Sequence, residues 1–287
     1  MKIVFFGTPE FCLPVIEKIQ KTFTKKIGDP AIVGVVTQEP RPTGRKQVLT
    51  YSPIDRWAHD HHTPTYYSPQ ALLGSGIKAD IGILAAYGKI INQECLDFFS
   101  FGILNIHPSL LPKLRGASPL QTAIAQGESI TGASIIKLDD KMDHGPIVAA
   151  FTEEVRPDDT PETLGQRIFG KSAQVLVDLI PAYLAGKIKL RQQDDNQATF
   201  TKLLNKESGF VPLSDLKLAL EGKEAEKLER LFRAMQPWPG IWSLVKDKRL
   251  KILKIHLEEG KLIIDEVQLE SKNPVPWKQF SSAYQPF

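Results

Sequence analysis

The stretch MKIVFFGTPEFCLPVIEKIQK (residues 1–21) carries the pattern from which the fold class follows. Lys2–Phe6 is a short, largely apolar run that Gly7-Thr8-Pro9 ends abruptly. Beyond it, within residues 10–21, Phe11, Val15, Ile16 and Ile19 recur at helical spacing. Such a run is buried on both faces, and the spacing behind it marks an amphipathic helix, so the segment predicts a strand, a turn and a helix.

The alternation continues outward. Ala31–Thr37 predicts a second buried strand, Pro64–Tyr67 a short third, and Asp80–Ala86 another that ends at Tyr87-Gly88. Gly102–Ile106, Ser134–Leu138 and Ile147–Thr152 predict later strands. Buried strands alternating with helices point to a Rossmann-like α/β domain with a mainly parallel sheet, which binds ligands at the carboxyl ends of its strands. The loops after Phe6, Ala86 and Ile106 then lie on the functional side.

Three common α/β activities lack their defining motifs. The first turn has the single glycine Gly7 before Thr8-Pro9-Glu10, where a dinucleotide fingerprint requires GxGxxG. Neither GxSxG nor a Walker A loop occurs anywhere.

Composition narrows the class further. The chain has 287 residues, 42% hydrophobic and 24% charged, enough for one large domain and a smaller one and against extended disorder. A net charge of +3 leaves any polyanion binding to local clusters. Cys12 and Cys95 lie far apart without metal-ligand spacing, so neither a disulfide framework nor zinc is expected. The amino terminus has neither the form of a signal peptide nor of a membrane span, and a cytoplasmic protein is expected. His59, His61 and His62 in WAHDHHTP lack paired helical spacing and read as a solvated helix end.

Chemistry concentrates in NIHPSLLPKLRGASPLQ (residues 105–121). Side chains two apart on a strand share a face, so Asn105 and His107 can point together into a crevice. An amide donor beside an imidazole suits a carbonyl whose oxygen gains negative charge under attack. Downstream, LDDKMDHGPI places Asp143 in a turn between two strands, where it can orient His107, hold its charged form, or take a proton from an amine through water.

Four segments, FFGTPEFCLPVIEKI, VVTQEPRPTGRKQVLTYSPI, NIHPSLLPKLRGASPLQ and TGASIIKLDDKMDHGPI, with RAMQPWPG at 233–240, resemble the methionyl-tRNA formyltransferases within the formyltransferases that use 10-formyltetrahydrofolate. The resemblance implies that Asn105 and His107 stabilise an oxyanion and that Asp143 positions His107 and assists proton removal. It implies a pterin pocket lined by Ala86, Tyr87, Gly88, Lys89 and Ile90 with Asp139 and Asp140, a folate formyl donor, and no metal. The acceptor it implies is the methionine amino group on charged initiator tRNA, in support of translation initiation. Arg41, Arg45 and Lys46 in the loop EPRPTGRKQVL are the expected contacts to RNA phosphates, and Ser109, Arg115, Gly116, Lys248 and Arg249 are expected substrate or tRNA residues beside them. The loop departs from the family at Glu39-Pro40 and at Lys46, where Pro-Asp and a second glycine are usual.

The division expected is a formyltransferase domain over 1–190, a polar linker over 191–208 and a β domain over 209–287. Within the last, residues 223–235 predict an amphipathic helix with Leu228, Leu231, Phe232 and Met235 on one side. Leu250–Leu257 and Lys261–Leu269 predict a hairpin around Glu258-Glu259-Gly260, with a one-sided basic surface along Lys246–Lys254. The family's C-terminal barrel has further strands between segments resembling KILKI and IDEVQLE, so a reduced, barrel-like domain is expected. Two other functions fit parts of the pattern: an N-formyltransferase for a nucleotide-linked amino sugar or other small amine, and a non-catalytic RNA-binding protein that kept the fold.

Overall fold

The computed structural model describes residues 1–26, 28–43 and 47–287. In chain order the first half contains β1 (Ile3–Gly7), α1 (Leu13–Phe23), β2 (Ile32–Val36), β3 (Arg41–Thr43), β4 (Val48–Thr50), α2 (Pro53–Asp60), β5 (Thr65–Tyr66), α3 (Pro69–Leu73), β6 (Ile81–Ala85) and α4 (Gln93–Asp97). There follow β7 (Ile103–His107), α5 (Pro119–Gln126), β8 (Ile130–Lys137), β9 (Ile147–Glu154) and α6 (Pro161–Leu184). The remainder contains α7 (Leu213–Leu220), α8 (Ala225–Ala234), β10 (Ile241–Val245), β11 (Lys248–Glu258), β12 (Lys261–Leu269), β13 (Val275–Pro276) and α9 (Trp277–Tyr284). No helix among the described residues is long and apolar enough to cross a membrane.

The chain forms two compact units. The first comprises Met1–Gly116, Thr131–Glu153 and Gly165–Phe200; the second comprises Ala117–Ile130, Glu154–Leu164 and Thr201–Phe287. This differs from the division at 190 and 208. Residues 191–200 are hydrogen-bonded along the first unit: Arg191 pairs with Ile147, and Thr199 bonds through its backbone to Pro112 and Arg115. A segment too polar for a core was expected to be a linker, yet polar side chains are what a strap lying on other polar loops requires.

The first unit is built on a seven-stranded sheet of order β5-β2-β1-β6-β7-β8-β9. Pairings from β5 through β7 are parallel, and β8 runs antiparallel to β7. All five residues of β1 and all five of β7 are buried, as an unalternating apolar run demands of a covered strand. The expected helix over 10–21 is divided. Glu10–Cys12 is a 3-10 turn, and the α-helix begins at Leu13 with Pro14 in its first turn, where a missing backbone N–H costs nothing. Ser52 and Asn92 cap α2 and α4 by accepting from Asp55 and Cys95 backbone N–H groups, each such cap contributing about 1 kcal/mol. β8 starts at Ile130 rather than Ser134. Gly132 allows a close approach: a Cβ there would stand 2.0 Å from the Phe151 carbonyl oxygen, so a glycine that reads as a break extends the strand instead.

The turn between β8 and β9 depends on Gly145 in the same way. A Cβ at Gly145 would stand 1.9 Å from the Lys137 carbonyl oxygen. Gly145→Ala is therefore expected to destabilise the protein by about 1–3 kcal/mol, the usual cost of overpacking, read as a lower Tm. An unchanged Tm would mean that the turn yields without strain.

The second unit carries an open, four-stranded antiparallel sheet of order β10-β11-β12-β13, the reduced C-terminal β unit that the shortened sequence predicts. Its turns are Lys246-Asp247 (φ 48° and 62°) and Glu259-Gly260 (φ 49° and 76°), the left-handed two-residue turns whose twist suits a hairpin. In α8, Leu228 is buried while Leu231 and Phe232 are half-buried, with Met235 buried just beyond. The basic stretch is not one-sided. Strand alternation sends Lys248 to one face with buried Leu250 and Ile252, and Arg249 and Lys251 to the other.

Candidate active site

β7 presents Asn105 and His107 on one face, 6% and 4% exposed. Beyond His107 the chain doubles back under side-chain control. Ser109 Oγ donates to the Lys113 carbonyl (2.6 Å), and Ser134 Oγ donates to the Ser109 carbonyl (2.9 Å) while accepting from Leu111 N–H (3.0 Å). The fold-back brings the Leu114 carbonyl oxygen to 2.9 Å from His107 Nε2. A carbonyl only accepts, so Nε2 carries the proton of the neutral ring and Nδ1 carries the lone pair.

Nδ1 faces Asp143. Asp143 Oδ2 lies 3.5 Å from His107 Nδ1 and accepts from the Gly116 N–H at 2.7 Å, while Oδ1 accepts from Asn105 Nδ2 at 3.4 Å. The carboxylate is thus held by one short bond and two longer contacts. Burial drives the His107 imidazole below its ordinary pKa; the Asp143 carboxylate and the Leu114 carbonyl pull it back in part, and Arg115 pushes it down again. A neutral histidine whose free nitrogen faces a carboxylate can take up a proton and pass to a hydrogen-bonded ion pair. The second hydrogen of Asn105 Nδ2 is a donor for a developing negative charge.

Three residues at this end of the sheet adopt left-handed backbone without being glycine: Ala86 (φ 49°), Leu114 (φ 58°) and Asp143 (φ 48°). Each costs about 1–3 kcal/mol and persists only where its surroundings over-determine it. Ala86 directly follows the residue of β6 that pairs with Ile106, so it flanks His107 across the ladder.

The other expected site residues are distributed unevenly. Tyr87 is fully buried in the core, where burial pushes its phenol up to about 12, and it offers the loop only its carbonyl, already bonded by Thr8 Oγ1 and Gln38 Nε2. Gly88 is exposed at φ 79°, Lys89 Nζ donates to the Tyr67 carbonyl at 3.1 Å, and Ile90 is 87% exposed. Asp139 accepts from His144 Nδ1 at 2.6 Å, and Asp140 is exposed. Both border a cleft of about 440 Å³ whose walls include Leu96, Asp97, Phe99 and Leu138.

Of the expected RNA contacts, Arg41 is exposed in the β3–β4 hairpin, and Arg45 and Lys46 lie outside the described residues. Ser109 and Arg115, expected among the substrate or tRNA residues, are buried. Ser109 closes the loop beneath His107, and Arg115, 4% exposed, donates to Gln193 Oε1 and Asp195 Oδ1 at 2.8 Å each through one nitrogen. Gly116 serves the Asp143 carboxylate. Lys248 is exposed; Arg249 stacks on Trp242 with its guanidinium carbon 3.9 Å from the ring centroid and pairs with Glu207.

The histidines of α2 behave as a helix end. His61 Nδ1 lies 2.8 Å from the Trp57 carbonyl and stacks on the Trp57 ring, and His59 faces Asp60. Among the described residues no group of three or more His, Cys, Asp or Glu is placed to hold a metal ion. Cys12 is buried against the Ala85 carbonyl, and burial raises its thiol and that of Cys95, the latter to about 11, so both stay protonated.

Residues 1–180 match the Formyl transferase family model, and 220–261 match that of the Formyl transferase C-terminal domain. The chain belongs to the formyl transferase family. It is 37% identical over 261 residues to the methionyl-tRNA formyltransferase of Chloroflexus aurantiacus, covering 88% of this chain and 79% of that one. In fold it is similar to methionyl-tRNA formyltransferase from Clostridium thermocellum, with a TM-score of 0.61 and 19% identity over 94% of this chain and 98% of that one. It is as similar to an N-formyltransferase from Helicobacter canadensis solved with folinic acid and dTDP-3-aminofucose, at TM-score 0.65 and 14% identity over 94% and 95% of the two chains. The protein is thus a formyltransferase, and its residues bear out the Rossmann-like sheet followed by a small C-terminal β unit.

Two groups in this site left no trace in the sequence pattern. The Leu114 carbonyl is backbone, and Gln193, whose Nε2 donates to the Asp143 and Gly145 carbonyls at 2.8 Å each, lies in the polar segment read as a linker.

Proposed function

We propose that the protein transfers the formyl group of 10-formyltetrahydrofolate to the amino group of methionine carried on initiator tRNA. The observation that carries the chemistry is the convergence of Asn105, His107 and Asp143 on one buried face. Asn105 donates to the formyl oxygen as negative charge develops there. His107 Nδ1, neutral at physiological pH, accepts the proton that the amine loses as its nitrogen bonds to the formyl carbon; Asp143 stabilises the imidazolium so formed, which returns the proton to N10 of the departing tetrahydrofolate as the bond from N10 to the formyl carbon breaks. The one N–H of the neutral ring is spent on the Leu114 carbonyl, so His107 serves proton transfer through the Nδ1 lone pair in place of the oxyanion donation expected of it.

The cleft bordered by Asp139 and Asp140 fits a flat heterocycle. Leu96, Phe99 and Leu138 offer apolar surface, and the carboxylates of Asp97, Asp139 and Asp140 accept ring N–H groups. The folate supplies the activated formyl group when bound. The acceptor is supported by identity to a methionyl-tRNA formyltransferase over most of the chain, C-terminal part included, and by exposed cations at Arg41, Lys246, Lys248 and Lys251 that suit RNA phosphates.

The test is a competition among acceptors. Purified protein with 10-formyltetrahydrofolate is expected to formylate methionine-charged initiator tRNA rapidly, with a rate that falls as salt rises, and to leave free methionine and nucleotide-linked amino sugars almost untouched. Preference for an amino sugar would overturn the acceptor while leaving the chemistry intact.

A further inference from the structure

Residues 191–200 form a strap whose polar side chains close on two of the three strained backbone positions of the site, Leu114 and Asp143. Gln193 lies at its centre. Its Oε1 accepts from Arg115 Nε and from a terminal guanidinium nitrogen at 3.1 and 2.8 Å, and its Nε2 donates to the carbonyls of Asp143 and Gly145. The same guanidinium reaches Asp195 Oδ1, Asp195 Oδ2 lies 3.3 Å from His144 Nε2, and His144 Nδ1 lies 2.6 Å from Asp139 Oδ2. The contacts close a ring around the turn that carries Asp143. Further along the strap, Thr199 Oγ1 accepts from Leu114 N–H at 2.8 Å, and the Thr199 carbonyl accepts from Arg115 N–H at 2.8 Å.

We infer that Gln193 is a positioning residue for formyl transfer: with Thr199 it holds Asp143 and Leu114 in the left-handed backbone that aims the carboxylate and the carbonyl at the two nitrogens of His107. The sheet alone does not achieve this. β7 fixes where His107 points, but both of its partners come from loops, and each loop residue is held at a φ that an L side chain rarely adopts. Every hydrogen-bonding group of the Gln193 amide is engaged, in the way a support for a strained turn must be. Arg115 is the buried cation that keeps the amide from flipping, since its two donors require the oxygen, not the nitrogen, on their side.

The inference rests on His107 and Asp143 being the reacting groups, so His107→Ala is measured beside the strap variants. Gln193→Ala and Gln193→Glu are each expected to lower kcat by about 100-fold, the effect of a misplacement near 1 Å, with the KM for the charged tRNA unchanged. Glutamate keeps the size and the Arg115 contact but lacks the two N–H donors, so loss in both variants identifies the donors as the cause. Thr199→Val is expected to lower kcat and Thr199→Ser to retain it, while Gln197→Ala, in the same strap but bonded outward to Asp194, is expected to match the parent. Parental kcat in Gln193→Ala and Thr199→Val, with His107→Ala inactive, would overturn the positioning role alone. Full activity of His107→Ala would remove the catalytic reading, and the positioning role with it.

Discussion

His107→Ala is expected to lower kcat for formyl transfer by about 10²–10⁴-fold, the usual contribution of a positioned proton acceptor, with little change in affinity for the folate. The alanine leaves Leu114, Gly116 and the Asp143 carboxylate in place but removes the nitrogen that receives the proton. The pH dependence carries the same signature. Burial holds the imidazole of the free protein below its ordinary pKa, so the acid limb of kcat/KM that His107 contributes in the parent is expected below about pH 6.5. An acid limb above that value would mean that Asp143, and not burial, dominates the ring.

Stability responds in the matching direction. With the folded pKa depressed, the unfolded chain binds the extra proton as pH falls, so the His107 contribution is complete above about 6.5, the unfolded value, and is lost as pH drops toward the folded one. His107→Gln, which cannot ionise, is accordingly expected to lose less Tm between pH 7.5 and 5.5 than the parent does. An equal loss would place the acid sensitivity elsewhere.

Asp143→Asn is expected to have a comparable or larger effect, a fall of about 10³–10⁴-fold in kcat, by analogy with the loss when an orienting aspartate beside a catalytic histidine becomes an amide. The carboxylate accepts from Gly116 N–H through one oxygen and from Asn105 through the other. An amide has one oxygen for these two donors, so it must either turn N–H against N–H at Asn105 or abandon the Gly116 bond. The attraction that raises the His107 pKa also disappears, so the acid limb of the residual activity is expected at lower pH than in the parent. A limb that stays in place would show that the pair does not interact in the reacting state.

Much of this was legible in the chain because it is local. Period two on β7 sufficed to put Asn105 and His107 on one face, and unbroken apolar runs sufficed to identify strands covered on both sides. The hairpin around Glu258-Glu259-Gly260 was legible for the same reason, since a turn is defined by the residues that make it. Asp143 was suspected from its turn, but its approach to Asn105 spans 38 residues and depends on the packing of β8 beside β7.

Arginine and glutamine were misread where charge and polarity depend on what covers them. Arg115 is a cation of the kind expected at a substrate or tRNA surface and Gln193 lies in a stretch with a linker's composition, yet in the fold Arg115 is buried and bonded to Gln193. Arg249, in a basic run, is turned by strand alternation onto the Trp242 ring.

What the sequence by itself determined is the succession of strands and helices, the pair on β7 and the family, because periodicity and motif are properties of neighbouring residues. Only the tertiary structure decided which side of His107 meets a carbonyl and which a carboxylate, and that a polar strap braces both. Those outcomes depend on burial and on groups far apart in the chain, and a titratable side chain takes its chemistry from whatever the completed fold packs against it.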